Sequence, residues 1–265
     1  MTEHIHFLPP PFTNSPETFQ LITQGAEALV YKTSFLSPDC PAALKIRPIK
    51  TWRHPTLDKR LTKQRITAEA RVLVKCLREG IQVPRVLGAD WEFGWLALEW
   101  IEGRTVKQVI RERKVGVEQD EEGLVGLLRR IGEVVGGLHA KGVVHGDLTT
   151  SNMMLRPATA IATSSPLPPP LRGNGEEESG QGGFSLEGDI VLIDFGLASQ
   201  SATQEEDRAV DLYVLERAFG STHPKEEELF SVVLTAYGSA YKGAKSTLKR
   251  LEDVRMRGRK KSMLG

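Results

Sequence analysis

Two short stretches of the sequence hold side chains whose types and spacing suit phosphoryl chemistry. His145–Gly146–Asp147 is followed five residues on by Asn152, and Asp194–Phe195–Gly196 comes later in the chain. The three polar groups divide the labour of an ATP site. One carboxylate, Asp147, can face an attacking hydroxyl or water. The amide oxygen of Asn152 and the carboxylate of Asp194 can hold Mg2+ against the phosphates of ATP. Magnesium needs few protein ligands there, because phosphates and water complete its shell. Asp-Phe-Gly alone is a common turn sequence. Both stretches together, each beside an apolar strand-like run, are much less easily accidental.

This pair of motifs resembles the protein-kinase superfamily, and the N-terminal half can be read against that resemblance. Such a fold needs a lysine on its third strand for the phosphates and a helical glutamate to orient it. Lys45, in AALKI, and Glu69, in ITAEARVLV, stand at those places, 24 residues apart. Taken singly, Lys45 would be a strand lysine with its head in solvent and Glu69 a solvated helix residue. The nucleotide loop is degenerate. In QGAEALVY, Gly25 and Val30 match, but the other two glycine positions are Thr23 and Ala28. Gln24, Gly25, Ala26, Glu27, Ala28 and Val30 are read as nucleotide-binding. Glu27 sets a carboxylate near the triphosphate, which is unfavourable unless it bonds elsewhere. The backbone C=O of Glu99 and N–H of Ile101, in EWIEG, would pair with the adenine edge.

The elements that must position these residues follow from pattern. Residues 1–18, with four prolines, read as an extended or frayed lead-in. LITQGAEALVYKTSF alternates as two strands around a turn, and AALKIRP reads as a third strand. Residues 56–80 carry Leu61, Ile66, Ala70, Leu73, Val74 and Leu77 near one helical face. RVLGADWEFGWLALEW reads as two more strands, with Trp91 and Trp95 as strand packing. Helices are expected over 122–141, 205–220 and 224–242. Residues 157–189 contain five prolines, six glycines and four serines. That composition cannot build a core and reads as a disordered surface insertion between the NMML and VLIDF strands. The fold expected is α+β and bilobal. The smaller lobe is 19–99; the larger, 100–265, is reduced and lacks a full activation segment.

Composition excludes several classes. Thirty-five basic residues oppose 34 acidic ones over 265, with 40% hydrophobic and 26% charged. These are globular proportions, not those of a charged disordered chain. No run of 18 apolar residues suggests a membrane span, and the start has no secretory pattern. Two cysteines, Cys40 and Cys76, form no CxxC pair, which fits a reducing compartment. Without targeting signals, cytoplasm and nucleus are equally permitted.

Departures narrow the resemblance. Gly146 replaces the usual arginine before the catalytic aspartate, and Thr149 replaces the lysine after it. Only 69 residues follow Gly196, with no Ala-Pro-Glu motif. This truncated pattern resembles the small atypical kinase of the KEOPS (EKC) complex, in the p53-regulating kinase family. The matching stretches are QGAEALVY, KIRPIKTWRHPTLDKRLTKQRITAEARVL, EWIEG, HGDLTTSNMML, IDFGLA, DRAVDLYVLERAF and RGRKKSMLG. They cover most of residues 20–265 apart from the insertion.

The resemblance implies an ATP- and Mg2+-dependent serine/threonine kinase that acts mainly as an ATPase. It implies a place in the assembly that makes threonylcarbamoyladenosine at position 37 of tRNA. Its partners would be the threonylcarbamoyl-transferase subunit, the other KEOPS/EKC subunits and, through them, tRNA. Alternatives are a free-standing protein-serine kinase or a pseudokinase scaffold. Arg255, Arg257, Arg259, Lys260 and Lys261 could contact tRNA phosphates or a partner. The plainer readings are a solvated charge run or a nuclear-import signal. The basic residues of WRHPTLDKRLTKQR could also face RNA. Ser199, Ser201 and Thr203 are candidate autophosphorylation sites.

Overall fold

The computed structural model describes residues 8–14, 18–25, 27–113, 117–157, 186–200 and 205–263. Ala26, Ser201, Thr203, most of the lead-in and most of the 157–189 segment lie outside the described residues. So do the side chains of Arg259, Lys260 and Lys261. The N-terminal half is an antiparallel sheet of β1 (Gln20–Gln24), β2 (Leu29–Ser34), β3 (Pro41–Ile46), β4 (Val86–Asp90) and β5 (Trp95–Glu99). The strand order is β1-β2-β3-β5-β4. One long helix, α1 (Pro55–Arg78), crosses between β3 and β4.

Alternation decides which way each strand residue points. Ala42, Leu44 and Ile46 of β3 are buried. Leu44 and Ile46 join Leu29, Tyr31, Trp95 and Ala97 in one cluster, with Phe12 and Phe35 against it. Successive strand residues face opposite sides, so Lys45 faces the other way. Its partner across the ladder is Leu96, which shares a cluster with Ile66, Val72 and Leu73 of α1. The register thus aims Lys45 at α1. The buried stripe of α1 runs Ile66, Glu69, Leu73, Cys76, so a carboxylate sits inside an apolar face. Trp95 is buried, but Trp91 departs from its reading as strand packing. It is half-exposed in the turn between β4 and β5, with Lys63 over its ring.

The C-terminal half is mainly helical: α2 (Val106–Glu112), α3 (Glu118–Ala140), α4 (Glu205–Thr222), α5 (Phe230–Ala240) and α6 (Ala244–Met263). Short strands lie among them: β6 (Arg104–Thr105), β7 (Val143–Val144), β8 (Met153–Arg156), β9 (Asp189–Leu192) and β10 (Ser199–Gln200). Leu124, Leu127, Leu128, Ile131, Val135 and Leu138 give α3 a fully buried stripe. Gly132 lets α5 approach closely, since a β-carbon there would lie 2.3 Å from the Val233 carbonyl oxygen.

β8 and β9 pair antiparallel, Met153 with Leu192 through Arg156 with Asp189. The 157–189 segment therefore does join two paired strands. One other expectation changes. The 224–242 helix begins only at Phe230, after a short turn at Glu227–Leu229 that follows Pro224. The basic C-terminal stretch runs on as the last turns of α6. No helix among the described residues is long and apolar enough to cross a membrane.

Candidate active site

Lys45 Nζ lies 2.8 Å from Glu69 Oε1 and 2.5 Å from Asp194 Oδ1. Glu69 is 1% exposed, and its second oxygen lies 3.4 Å from Arg47 Nη2. A carboxylate this deep is tenable because both oxygens meet cations. Removing one partner of such a buried pair typically costs about 3–5 kcal/mol. Asp194 adopts φ +60°, a left-handed conformation uncommon outside glycine and concentrated at functional sites. Burial works to raise the Asp194 pKa. The charge and hydrogen bond of Lys45, with the Gly196 N–H, prevail and hold it below the usual carboxylate range.

The second half of the site is the loop after β7. Asn152 donates through Nδ2 to the Asp147 carbonyl at 2.9 Å and to Asp147 Oδ2 at 3.0 Å. That orientation points the amide oxygen elsewhere, as a cation ligand requires. The Ile193 N–H donates to the Asn152 carbonyl at 3.0 Å, which ties Asn152 to the residue before Asp194. Gly146 has φ +82°, and a β-carbon there would lie 2.4 Å from the Leu197 carbonyl oxygen. The absent arginine is thus a steric consequence. The chain after Asp-Phe-Gly returns as β10 to pair with β7 and passes directly over position 146.

Buried partners from α3, α4 and α5 fix this loop. Asp211 accepts from the backbone N–H of His145 at 2.7 Å and of Gly146 at 2.8 Å. His139 Nε2 is 3.1 Å from Asp211, and its Nδ1 is 2.8 Å from the Tyr237 hydroxyl. Burial pushes the His139 pKa down against the pull of Asp211. The neutral ring that donates through Nε2 and accepts at Nδ1 satisfies both neighbours. His145 Nε2 lies 2.9 Å from the Ile193 carbonyl. Thr150 Oγ1, also buried, is 3.1 Å from His223 Nε2. Burial, with Arg111, Lys107 and Arg113 nearby, lowers the His223 pKa to about 4 against Glu226.

The structure therefore gathers Lys45, Glu69 and Asp194 into one contact set and Asp147 with Asn152 into another, joined through Ile193. Val30 is the ladder partner of Lys45. Gln24 ends β1, and the Gly25 N–H donates to the Ala28 carbonyl at 2.9 Å. Glu27 does bond elsewhere, in an ion pair with Arg65. Glu99 closes β5 with its carboxylate on Arg85 and Arg156, and Ile101 is buried in the segment that follows. Arg255 pairs with Glu216 and Glu252, and Arg257 with Glu206, so both hold α6 to neighbouring carboxylates.

Sequence reasoning missed Arg47, Asp211 and His223. Arg47 could have been found two residues beyond Lys45, on the same strand face. Asp211 could have been found as a carboxylate in the apolar run Ala209–Leu215 of α4. Among the described residues no three His, Cys, Asp or Glu side chains converge as a metal site. Asp194 and Asn152 offer two oxygens, a donor set that fits magnesium shared with phosphates.

Known proteins bear on this geometry. The chain is 56% identical over 279 residues to "EKC/KEOPS complex subunit bud32" of Aspergillus clavatus, covering 97% of this chain and 96% of that protein. It is 55% identical over 249 residues to the BUD32 subunit of Gibberella zeae, covering 92% and 87%. It is 43% identical over 245 residues to the EKC/KEOPS subunit SPAP27G11.07c of Schizosaccharomyces pombe, covering 92% and 90%. Among solved structures, WaaP in complex with acyl carrier protein superposes with a TM-score of 0.56 at 14% identity, over 92% of this chain and 90% of that one. That likeness concerns the kinase-like fold alone. No family model matches the chain.

Proposed function

The chain belongs to the family of EKC/KEOPS complex subunits named Bud32, and from that premise we propose that it is the complex's Mg-ATP-hydrolysing atypical serine/threonine kinase. The observation that carries this reading is Lys45 Nζ held between Glu69 and Asp194, at 2.8 and 2.5 Å. In a nucleotide-loaded site Lys45 would bind phosphate while Glu69 keeps its head in place. Asn152 and Asp194 would hold Mg2+, whose chemistry is to neutralise developing charge on the phosphates. Asp147, oriented by the Asn152 amide, accepts the proton of a water or hydroxyl nucleophile. Glu99 and Ile101 pair with the adenine edge, and the loop from Gln24 to Ala28, with Val30, covers the phosphates.

In the complex, this turnover supports threonylcarbamoyladenosine formation on tRNA by a separate transferase subunit, in cytoplasm and nucleus. The basic end of α6, from Arg255 to Lys261, contacts tRNA or a partner. Two features favour a pseudokinase scaffold as the second reading: Thr149 in place of a cationic residue, and a nucleotide loop whose Thr23 and Ala28 replace glycines.

ATP hydrolysis by the purified chain, alone and with the transferase subunit and tRNA, tests the proposal. Asp147→Ala and Asp194→Ala should each lower turnover by about 100-fold or more with unchanged circular dichroism. Full activity in either variant removes the assignment. Mutant complexes that still modify tRNA at the wild-type rate favour the scaffold.

A further inference from the structure

We infer that Arg47 is a second phosphate-binding cation of this site, standing beside Lys45 and reading the charge of the bound nucleotide. The inference rests on the ATP-binding reading above and adds a residue to it. Arg47 follows β3 directly, and its N–H donates to the Gly94 carbonyl at 2.8 Å. Lying two residues past Lys45, it presents its side chain to the same face. Its side chain is only 8% exposed, with Nη2 3.4 Å from Glu69 Oε2. Its head reaches the Asp-Phe-Gly turn as well. A β-carbon placed on Gly196 would lie 3.1 Å from Arg47 Nη2, 3.2 Å from Asp194 Oδ1 and 3.3 Å from Lys45 Nζ. Three charged groups thus converge on one point.

Charge balance gives this convergence its meaning. Lys45 alone faces two carboxylates, Glu69 and Asp194, which leaves the site net negative where a polyanion must enter. Arg47 brings the four groups to neutrality before any metal arrives. It also occupies the second oxygen of Glu69, so Glu69 stays paired when Lys45 turns to a phosphate. The need is acute in this chain. Thr149 supplies no charge near Asp147, where the kinase resemblance would place a lysine. A guanidinium offers further N–H donors beyond the one spent on Glu69, and phosphate is a natural acceptor for them.

Calorimetric titration of the full chain, unsubstituted and as Arg47→Gln and Arg47→Lys, with Mg-ATP, Mg-ADP and adenosine tests the assignment. Glutamine can still donate to Glu69 but carries no charge. ATP affinity should fall about 10-fold or more in Arg47→Gln, ADP affinity less, and adenosine affinity by under about 2-fold. Arg47→Lys should keep ATP affinity within about 3-fold. Equal losses for all three ligands, or no loss, overturn the assignment and leave Arg47 a structural partner of Glu69. Should the glutamine variant not fold, isotope-labelled arginine in the unsubstituted chain decides. The Arg47 side-chain resonance, assigned with the lysine variant, must shift with Mg-ATP and stay in place with adenosine. A resonance that moves with neither, or equally with both, overturns the inference. Absence of ATP binding by the unsubstituted chain overturns the underlying ATP reading itself.

Discussion

The two loops that flank the site are held in opposite ways. The loop from His145 to Asn152 hangs on buried groups: Asp211 on two of its N–H groups, His139 and Tyr237 behind Asp211, and His223 on Thr150. The loop between β1 and β2 hangs from a sheet edge whose five β1 residues are all exposed. Its described fastenings are the Gly25–Ala28 turn bond and the surface pair Glu27–Arg65. On the proposed ATP reading, the difference separates two requirements. Groups that handle a proton and a metal must keep their spacing within fractions of an ångström. A loop that admits a nucleotide has to open, and elements that move are drawn from the least stable parts of a fold.

Removing the anchor behind the rigid loop should have the largest effect. Asp211→Ala leaves two N–H groups and the His139 ring without their acceptor, and should cost about 3–5 kcal/mol in urea unfolding. A loss under about 1 kcal/mol would erase the contrast between the loops. Acidification should act on the same side of the site. The folded His223 pKa lies near 4, below its ordinary 6.5, so the unfolded chain takes up the proton first. The stability from its neutral ring is present above pH 6.5 and lost as pH falls toward 4. His223 alone accounts for about 3 kcal/mol over that interval. His223→Gln should flatten the pH dependence of the unfolding free energy there, and an unchanged slope would detach His223 from it.

A smaller loss is expected from the covering strand. Gly146→Ala forces a β-carbon against Leu197 at positive φ, and should cost about 2 kcal/mol by thermal unfolding. Gly146→Arg should do at least as much damage and restore no kinase-like gain. The smallest effect belongs to the loose loop. Glu27→Gln should change stability by under about 1 kcal/mol, because the pair is solvent-exposed and screened. A loss of several kcal/mol would mean that this loop too is firmly fixed.

What was legible in the sequence follows the same division. Lys45 and Glu69 could be read only because the motifs of the C-terminal half resemble a kinase's, which asks for a strand lysine and a helical glutamate; taken singly, neither stands out. Asp147 and Asn152 could be read because they stand five residues apart, and Asp194 because it opens an Asp-Phe-Gly beside an apolar strand-like run. Asp211 stands out only as a carboxylate in an apolar run; its work could not be read, because that needs α4 to meet the loop after β7, and a helical pattern gives no partner across 66 residues. The late start of α5 and the helical course of the basic end were hidden for related reasons. Pro224 delays the helix that the apolar spacing predicts, and charge runs carry no apolar stripe to betray a helix. Trp91 was misread because a tryptophan between two strands looks apolar whether it packs inward or lies under a lysine at the surface.

The ladder of β8 and β9 separates constancy from drift. Asn152 and Asp194 flank its near end; Arg156 and Asp189 close its far end. Whatever joins Arg156 to Asp189 begins and finishes at neighbouring points. Doubling the length of such a connection costs only about 0.6 kcal/mol in closure entropy. The chain can therefore be spliced there, lengthened, shortened or fitted with a fluorescent reporter, while four residue pairs separate the edit from Asn152 and Asp194.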